Sequence, residues 1–224
     1  MLRLINGLID LSGRHGAHQD ERVLKLQEED PVAQKTEWGP CKSGGVSFKT
    51  RSLTQPSQHR LEFKPSMIAK VFPIIFLSHA LFFLIAQLLT PHLDLLSLIF
   101  TIVFSLPFVG GGVYLWLKFT RPIIFDRALR SYWKGHKDPE RCSERARFDE
   151  IHAVQLISER VHQGSSHGAR GYRRHGSSYK SYELNLVLRD GRRMNVIDHG
   201  SLSVIREDAE RVAALLDKPL WDVV

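Results

Sequence analysis

The sequence predicts an α+β membrane protein: a transmembrane helical hairpin joined to a small β-sheet or β-barrel domain that a C-terminal helix closes. Three observations predict it. From Val71 to Leu117 the only Asp, Glu, Lys or Arg is Asp94, although 25% of the 224 residues are charged. From Tyr182 to Asp198 apolar and polar residues alternate on both sides of Asp190-Gly191, the pattern of an antiparallel hairpin. From Val204 to Leu216 apolar residues recur at helical spacing, as in an amphipathic helix lying on a core. The mean hydropathy of −0.18 suggests a soluble protein only because it averages two unlike regions.

Residues 1–44 mix His, Gly, Gln and both signs of charge with weak periodicity, so a largely flexible segment is expected, with a short helix near Arg22 to Glu29. The N-terminus reaches Asp10 before an apolar core of signal-peptide length has formed, so the first span is expected to be an uncleaved anchor. In 45–66, Gly45 to Leu53 and His59 to Lys64 alternate around Thr54-Gln-Pro-Ser57, predicting a β-hairpin that joins the C-terminal sheet.

Within 67–117, Val71 to Leu89 is long enough to cover about 28 Å as a helix, close to the hydrocarbon thickness of a bilayer. Leu95 to Leu117 is longer and can cross with some tilt. The short connection Thr90 to Asp94 makes the two spans antiparallel and carries no Lys or Arg, whereas Lys49, Arg51, Arg60, Lys64 and Lys70 precede the spans and Lys118, Arg121, Arg127, Arg130 and Lys134 follow them. The positive-inside rule therefore puts both termini in the cytoplasm.

His79 and Ser105 each stand 13 residues from His92 at the turn, so they share a depth. An interhelical bond from His79 to Ser105 or Thr101 is expected, worth about 0.5 to 1.5 kcal/mol. Pro107 should weaken or kink the second helix, and Gly110, Gly111 and Gly112 offer a packing face for the partner helix or for a second copy of the chain. A phosphate cradle there is improbable inside lipid.

Residues 118–224 form the predicted cytoplasmic domain. Thr120 to Lys134 is an expected strand or hairpin start, Phe148 to Val161 is an expected strand with a helix as the alternative, and Tyr182 to Asp198 is a hairpin with one buried face, Tyr182, Leu184, Leu186 and Leu188 alternating with Glu183, Asn185, Val187 and Arg189. The serines after Gly200 can cap the terminal helix, Pro219 ends it, and Trp221 can fold back on the edge of the core. Residues 162–180 are rich in Gly, Ser, His and Arg and read as a mobile loop.

The stretches Arg121-Pro-Ile-Ile-Phe-Asp-Arg127, Phe148-Asp-Glu-Ile151, Tyr182 to Gly191 and Val204 to Leu216 give a layout that resembles bacterial two-span membrane proteins with a pleckstrin-homology-like cytoplasmic domain. The resemblance is one of layout over the C-terminal half. It implies a multi-pass protein of the bacterial inner (plasma) membrane whose domain docks to proteins or lipid headgroups. It carries no catalytic residues over.

The function expected is therefore a non-catalytic interaction or scaffold domain held at the inner membrane face, with membrane lipids and an unidentified protein as partners. A competing expectation is anionic-lipid sensing through Arg170, Arg173, Arg174 and Lys180, each worth on the order of 1 kcal/mol at an anionic surface. A third is an accessory or immunity partner of a membrane complex. His162, His167 and His175 are too irregularly spaced for a specific metal site, and nucleic acid is disfavoured because few aromatic residues accompany the basic run. No His-Glu-x-x-His, Gly-x-Ser-x-Gly or Walker-type run occurs, and Asp198-His199 near Ser201 is the closest approach to a catalytic set. No catalytic residue, cofactor or metal is expected. Cys41 and Cys142 read as structural in a reducing compartment.

Overall fold

The computed structural model describes residues 21–41, 43–90, 94–162 and 178–224. The chain is α+β, with two long apolar helices and two antiparallel-rich sheets. The first described elements are helix α1, over residues 21–29, and the short α2 (Pro31–Lys35). Asp30 caps α2: its carboxylate accepts from the Val32 N–H at 2.8 Å, and Pro31 occupies the first helical turn, where its missing N–H costs nothing.

Strands β1 (Arg51–Ser57) and β2 (Arg60–Pro65) precede the apolar helices α3 (Met67–Leu88) and α4 (Leu95–Thr120). After α4 come β3 (Ile123–Asp126), β4 (Ser131–Lys134), β5 (Glu144–Arg147), β6 (Ile151–His162), β7 (Ser178–Leu188) and β8 (Arg193–His199), then helix α5 (Leu202–Leu216) and the short β9 (Leu220–Asp222). The first sheet has the order β1-β2-β3-β4-β5, and its β2–β3 pairing, Leu61 opposite Phe125 and Phe63 opposite Ile123, joins chain from either side of the apolar helices. The second has the order β8-β7-β6-β9, with β9 parallel to β6.

The two sheets and α5 share one core. Leu61, Phe63, Phe125 and Tyr132 come from the first sheet, Val154, Leu156, Leu184 and Leu186 from the second, and Ile205, Ala209 and Val212 from the helix. The apolar stripe seen in the sequence of α5 is the face that is buried. Ser201 stands at the N-cap, but its hydroxyl makes no cap bond and meets Ser203 Oγ instead at 3.3 Å. The Ser201 N–H is satisfied by His199 Nδ1 at 2.9 Å, so the preceding strand end secures this helix start.

The first hairpin differs from expectation in where it turns. The strand runs on through Thr54-Gln-Pro-Ser57, and the reversal falls at Gln58-His59. Pro56 is tolerated because β1 is an edge strand, where a missing N–H breaks no ladder.

Two expectations about burial need correction. The flexible segment expected over 1–44 is, from residue 21 to 41, folded against the second sheet; residues 1–20 lie outside the described ones. Ala33 is fully buried with Ala153, Val187 and Trp221, and Trp38 packs at a tilt against Trp221 with ring centroids 5.5 Å apart. In consequence the β7–β8 hairpin has two buried faces: Ser181, Glu183 and Asn185 are buried on the side opposite Leu184 and Leu186.

Helices α3 and α4 pack against each other through an aromatic seam, with Phe83 edge-on to Phe104 at 5.2 Å and Phe76 and Phe83 against Phe108. Helix α4 runs unbroken through Pro107 and the three glycines. A side chain at Gly112 would meet Leu77 at 2.9 Å, one at Gly111 would touch Phe76 at 3.8 Å, and Gly110 faces open space. The close helix approach is thus an intrachain device at Gly112, and only Gly110 remains for a second copy. Replacing Gly112 with Leu is expected to separate the helices and lower the detergent melting temperature, whereas Gly110 to Leu leaves it unchanged; equal melting of both variants would refute this packing.

Candidate functional site

The residues singled out in sequence scatter. Arg170, Arg173 and Arg174, with His167 and His175, lie outside the described residues. Lys180 is exposed on β7, opposite Arg160 of β6. His79 does not bond to Ser105 or Thr101. Its Nδ1 lies 2.7 Å from the carbonyl of Ile75 one turn back, its ring stacks on Phe108, and the Ser105 hydroxyl has no partner. Equal depth put His79 and Ser105 at one level without turning them toward each other. The interhelical polar contact is made by Gln87, which donates to Ser97 Oγ at 2.7 Å and accepts from Thr101 Oγ1 at 3.2 Å. The clue in the sequence was that Gln87 is the one side-chain amide in the first apolar run.

No triad forms around Asp198. Its carboxylate accepts from Asn195 Nδ2 at 3.0 Å, while His199 Nδ1 faces the Ser201 backbone. Among the described residues no three His, Cys, Asp or Glu side chains gather where a metal could be held.

The second sheet's outer face is a polar seam covered by residues 37–41 and 43–50. Glu183 accepts from the Cys41 N–H at 2.9 Å, Glu159 from the Gly44 and Gly45 N–H groups, and Ser181 donates to the Val46 carbonyl at 3.0 Å. Gln155, fully buried, donates to the Glu37 carbonyl and accepts from Asn185 and Arg193. Every one of these bonds crosses from strap to sheet or ties the sheet groups that face it, which is why charged side chains are stable there. Burial, with the Glu183 carboxylate beside it, pushes the Cys41 thiol up to about 12, so it stays protonated and unreactive near neutrality.

At the root of the apolar helices, Arg51 is buried and donates from one guanidinium nitrogen to the carbonyls of Arg121 and Phe63. It thereby ties the strand that leads into α3 to the residue that leaves α4. Burial lowers its pKa to about 10, which still leaves it charged. Tyr132 is buried nearby, and its hydroxyl, without a partner, is held far above its ordinary pKa by desolvation.

The opposite end of the first sheet carries a basic groove. Strand β2 starts and β3 ends there, whereas β2 ends and β3 starts beside the apolar helices. One hollow of about 270 Å³ is lined by Arg127, Arg130, Phe148, Leu215, Leu216, Asp217 and Lys218. A second, of about 280 Å³, shares Arg127 and Leu215 and adds Gln55, Gln58, Leu61, Arg211 and Ala214. Asp126 shapes the wall: its carboxylate accepts from the Ala128 and Leu129 N–H groups at 2.9 and 3.1 Å, fixing the turn that presents Arg127 and Arg130. Arg130 and Asp217 have left-handed backbones, φ 48° and 54°, a conformation that costs a non-glycine residue about 1 kcal/mol or more. The sequence offered no marker for this groove, because Arg127 and Arg130 read as membrane-flanking charge and Arg211 stands among the polar positions between the apolar ones of the Val204 to Leu216 stretch.

Comparison of the chain with protein-family models, curated proteins and solved structures finds no match in any of the three.

Proposed function

We propose that the chain is an integral membrane protein that presents a non-catalytic interaction domain at the inner membrane face. The observation that carries this is the exposure of the apolar helices. Of the 22 residues of α3 only Ala69, Pro73 and Ala80 are buried, and of the 26 of α4 only Gly112. Leu89, Leu96 and Phe100 are 78%, 76% and 71% exposed. A soluble protein rarely leaves so continuous an apolar surface in water, and helices of this length match a bilayer core. The rest of the described chain needs no lipid: its sheets and α5 bury a separate core. The basic residues flanking the helices, against none in Thr90 to Asp94, support a cytoplasmic domain with both termini on that side.

The test is alkaline-carbonate extraction of membranes, combined with thiol labelling of intact cells by an impermeant reagent in a Cys41→Ser background. The protein is expected to stay in the membrane pellet, with Thr90→Cys labelled from outside and Gln58→Cys protected until lysis. Release by carbonate, or labelling of Gln58→Cys in intact cells, would overturn the proposal.

A further inference from the structure

We propose that the groove between the C-terminal end of α5 and the β1–β2 and β3–β4 turns binds an acidic, partly aliphatic peptide segment of a partner protein. The two hollows have Arg127 and Leu215 in common, and together they set the edges of Leu61, Phe148, Leu215 and Leu216, core residues each at most 8% exposed, beneath a rim of cations. Arg127, Arg130, Arg211 and Lys218 make no side-chain hydrogen bond and no ion pair within 4 Å with any described residue; Arg130 acts on Asp149 and Arg211 on Asp208 only through the longer-range field. Asp217 is the one carboxylate in the lining. A ligand that fills such a groove must offer aliphatic groups to the floor and carboxylates to the rim, where guanidinium forks bind them in bidentate pairs.

A compact anion such as phosphate fits less well. Guanidinium forks take phosphate as well as carboxylate, but the converging backbone N–H groups that complete a phosphate site are here already taken. The N–H of Arg127 bonds to His59, those of Ala128 and Leu129 to Asp126, that of Arg130 to Arg127, and those of Asp217 and Lys218 to the last turn of α5. The groove also lies at a helix C-terminus, whose dipole repels negative charge from the floor and leaves the rim as the place for carboxylates. A lipid headgroup is disfavoured by position, since the groove opens at the end of the sheet opposite the apolar helices. The turn bearing Arg127 and Arg130 is held by Asp126 before any ligand arrives, which lowers the ordering cost of binding.

The experiment uses the full chain in nanodiscs of zwitterionic lipid and a short fluorescent peptide of alternating Leu and Glu, read by polarisation. Saturable binding is expected, weakened at least about tenfold in Arg127→Glu/Arg211→Glu and unchanged in Lys180→Glu, which removes the same sign of charge elsewhere. Inorganic phosphate and anionic vesicles should fail to displace the peptide. Absence of saturable binding, equal loss in Lys180→Glu, or displacement by phosphate or vesicles would each overturn the proposal. If the double variant melts early, Arg127→Gln and Arg211→Gln singly supply the same comparison. Peptide binding does not depend on the membrane assignment, so carbonate release of the protein with binding intact would refute that assignment alone.

Discussion

A chain beginning at Leu61 is expected to lose cooperative thermal unfolding and to be digested rapidly by protease across residues 118–224. The truncation removes β1, the buried Arg51 and the whole strap over the second sheet. Trp221 loses Trp38, and Ala153 and Val187 lose Ala33, so an apolar patch opens on a sheet that had two covered faces. The bonds of Glu183, Glu159, Gln155, Ser181 and Tyr179 to residues 37–46 pass to water. At about 1 kcal/mol net for each, with the lost apolar burial added, the deficit is comparable to the roughly 5–15 kcal/mol that holds a domain of this size. A subtler variant isolates the strap. The carbonyl of Ser47 and the amide of Phe48 lie where a Cβ at Gly200 would stand, so Gly200→Val must push the strap off without deleting anything. Both chains should become protease-sensitive; a truncated chain that melted cooperatively and resisted protease would show that the strap and β1 are dispensable.

The second large effect is a pH dependence set by Asp208. This residue sits on the buried face of α5 with one carboxylate oxygen lacking a partner. Burial raises its pKa from 3.8 to about 6, with Lys49 and Arg211 opposing the shift and Glu207 adding to it. The folded chain therefore holds a proton that the unfolded chain releases between about pH 4 and 6. The contribution of Asp208 to stability is greatest below that window, falls as pH rises through it and levels off above it, by at most about 3 kcal/mol. Asp208→Asn keeps the shape and removes the charge. It is expected to raise the melting temperature at pH 7.5 and to flatten the profile between about pH 4 and 7. If the melting-temperature difference between Asp208→Asn and the wild type did not grow over that range, Asp208 would be ionised at little cost. Lys49→Met should act in the opposite direction at neutral pH, because it removes an opposing positive charge.

Much of the architecture was legible locally. The two long helices, the β7–β8 hairpin around Asp190-Gly191 and the stripe of α5 each follow from a period that a short window contains. Gly191 at φ 88° is the residue type that turn requires. What local pattern left open was direction and partnership. His79 and Ser105 share a depth, yet rotation about the helix axes sends each elsewhere, and Gln87 makes the bond between helices. The basic groove was invisible because its four cations come from two segments some eighty residues apart, and each has an ordinary local explanation.

The sequence by itself determined that this chain has two apolar stretches of bilayer length, a hairpin and an amphipathic closing helix, since each is encoded by neighbours within a turn or a strand. Only the tertiary structure decided that the polar face of β7 is buried, that residues 21–41 and 43–50 cover it, and that Arg127, Arg130, Arg211 and Lys218 converge. The reason is physical. An alternating polar residue is satisfied equally well by water or by the backbone amides and carbonyls of a strap, and the two leave the same mark on the sequence. Which one is present depends on contacts more than a hundred residues apart, such as Cys41 with Glu183, and no local period records them.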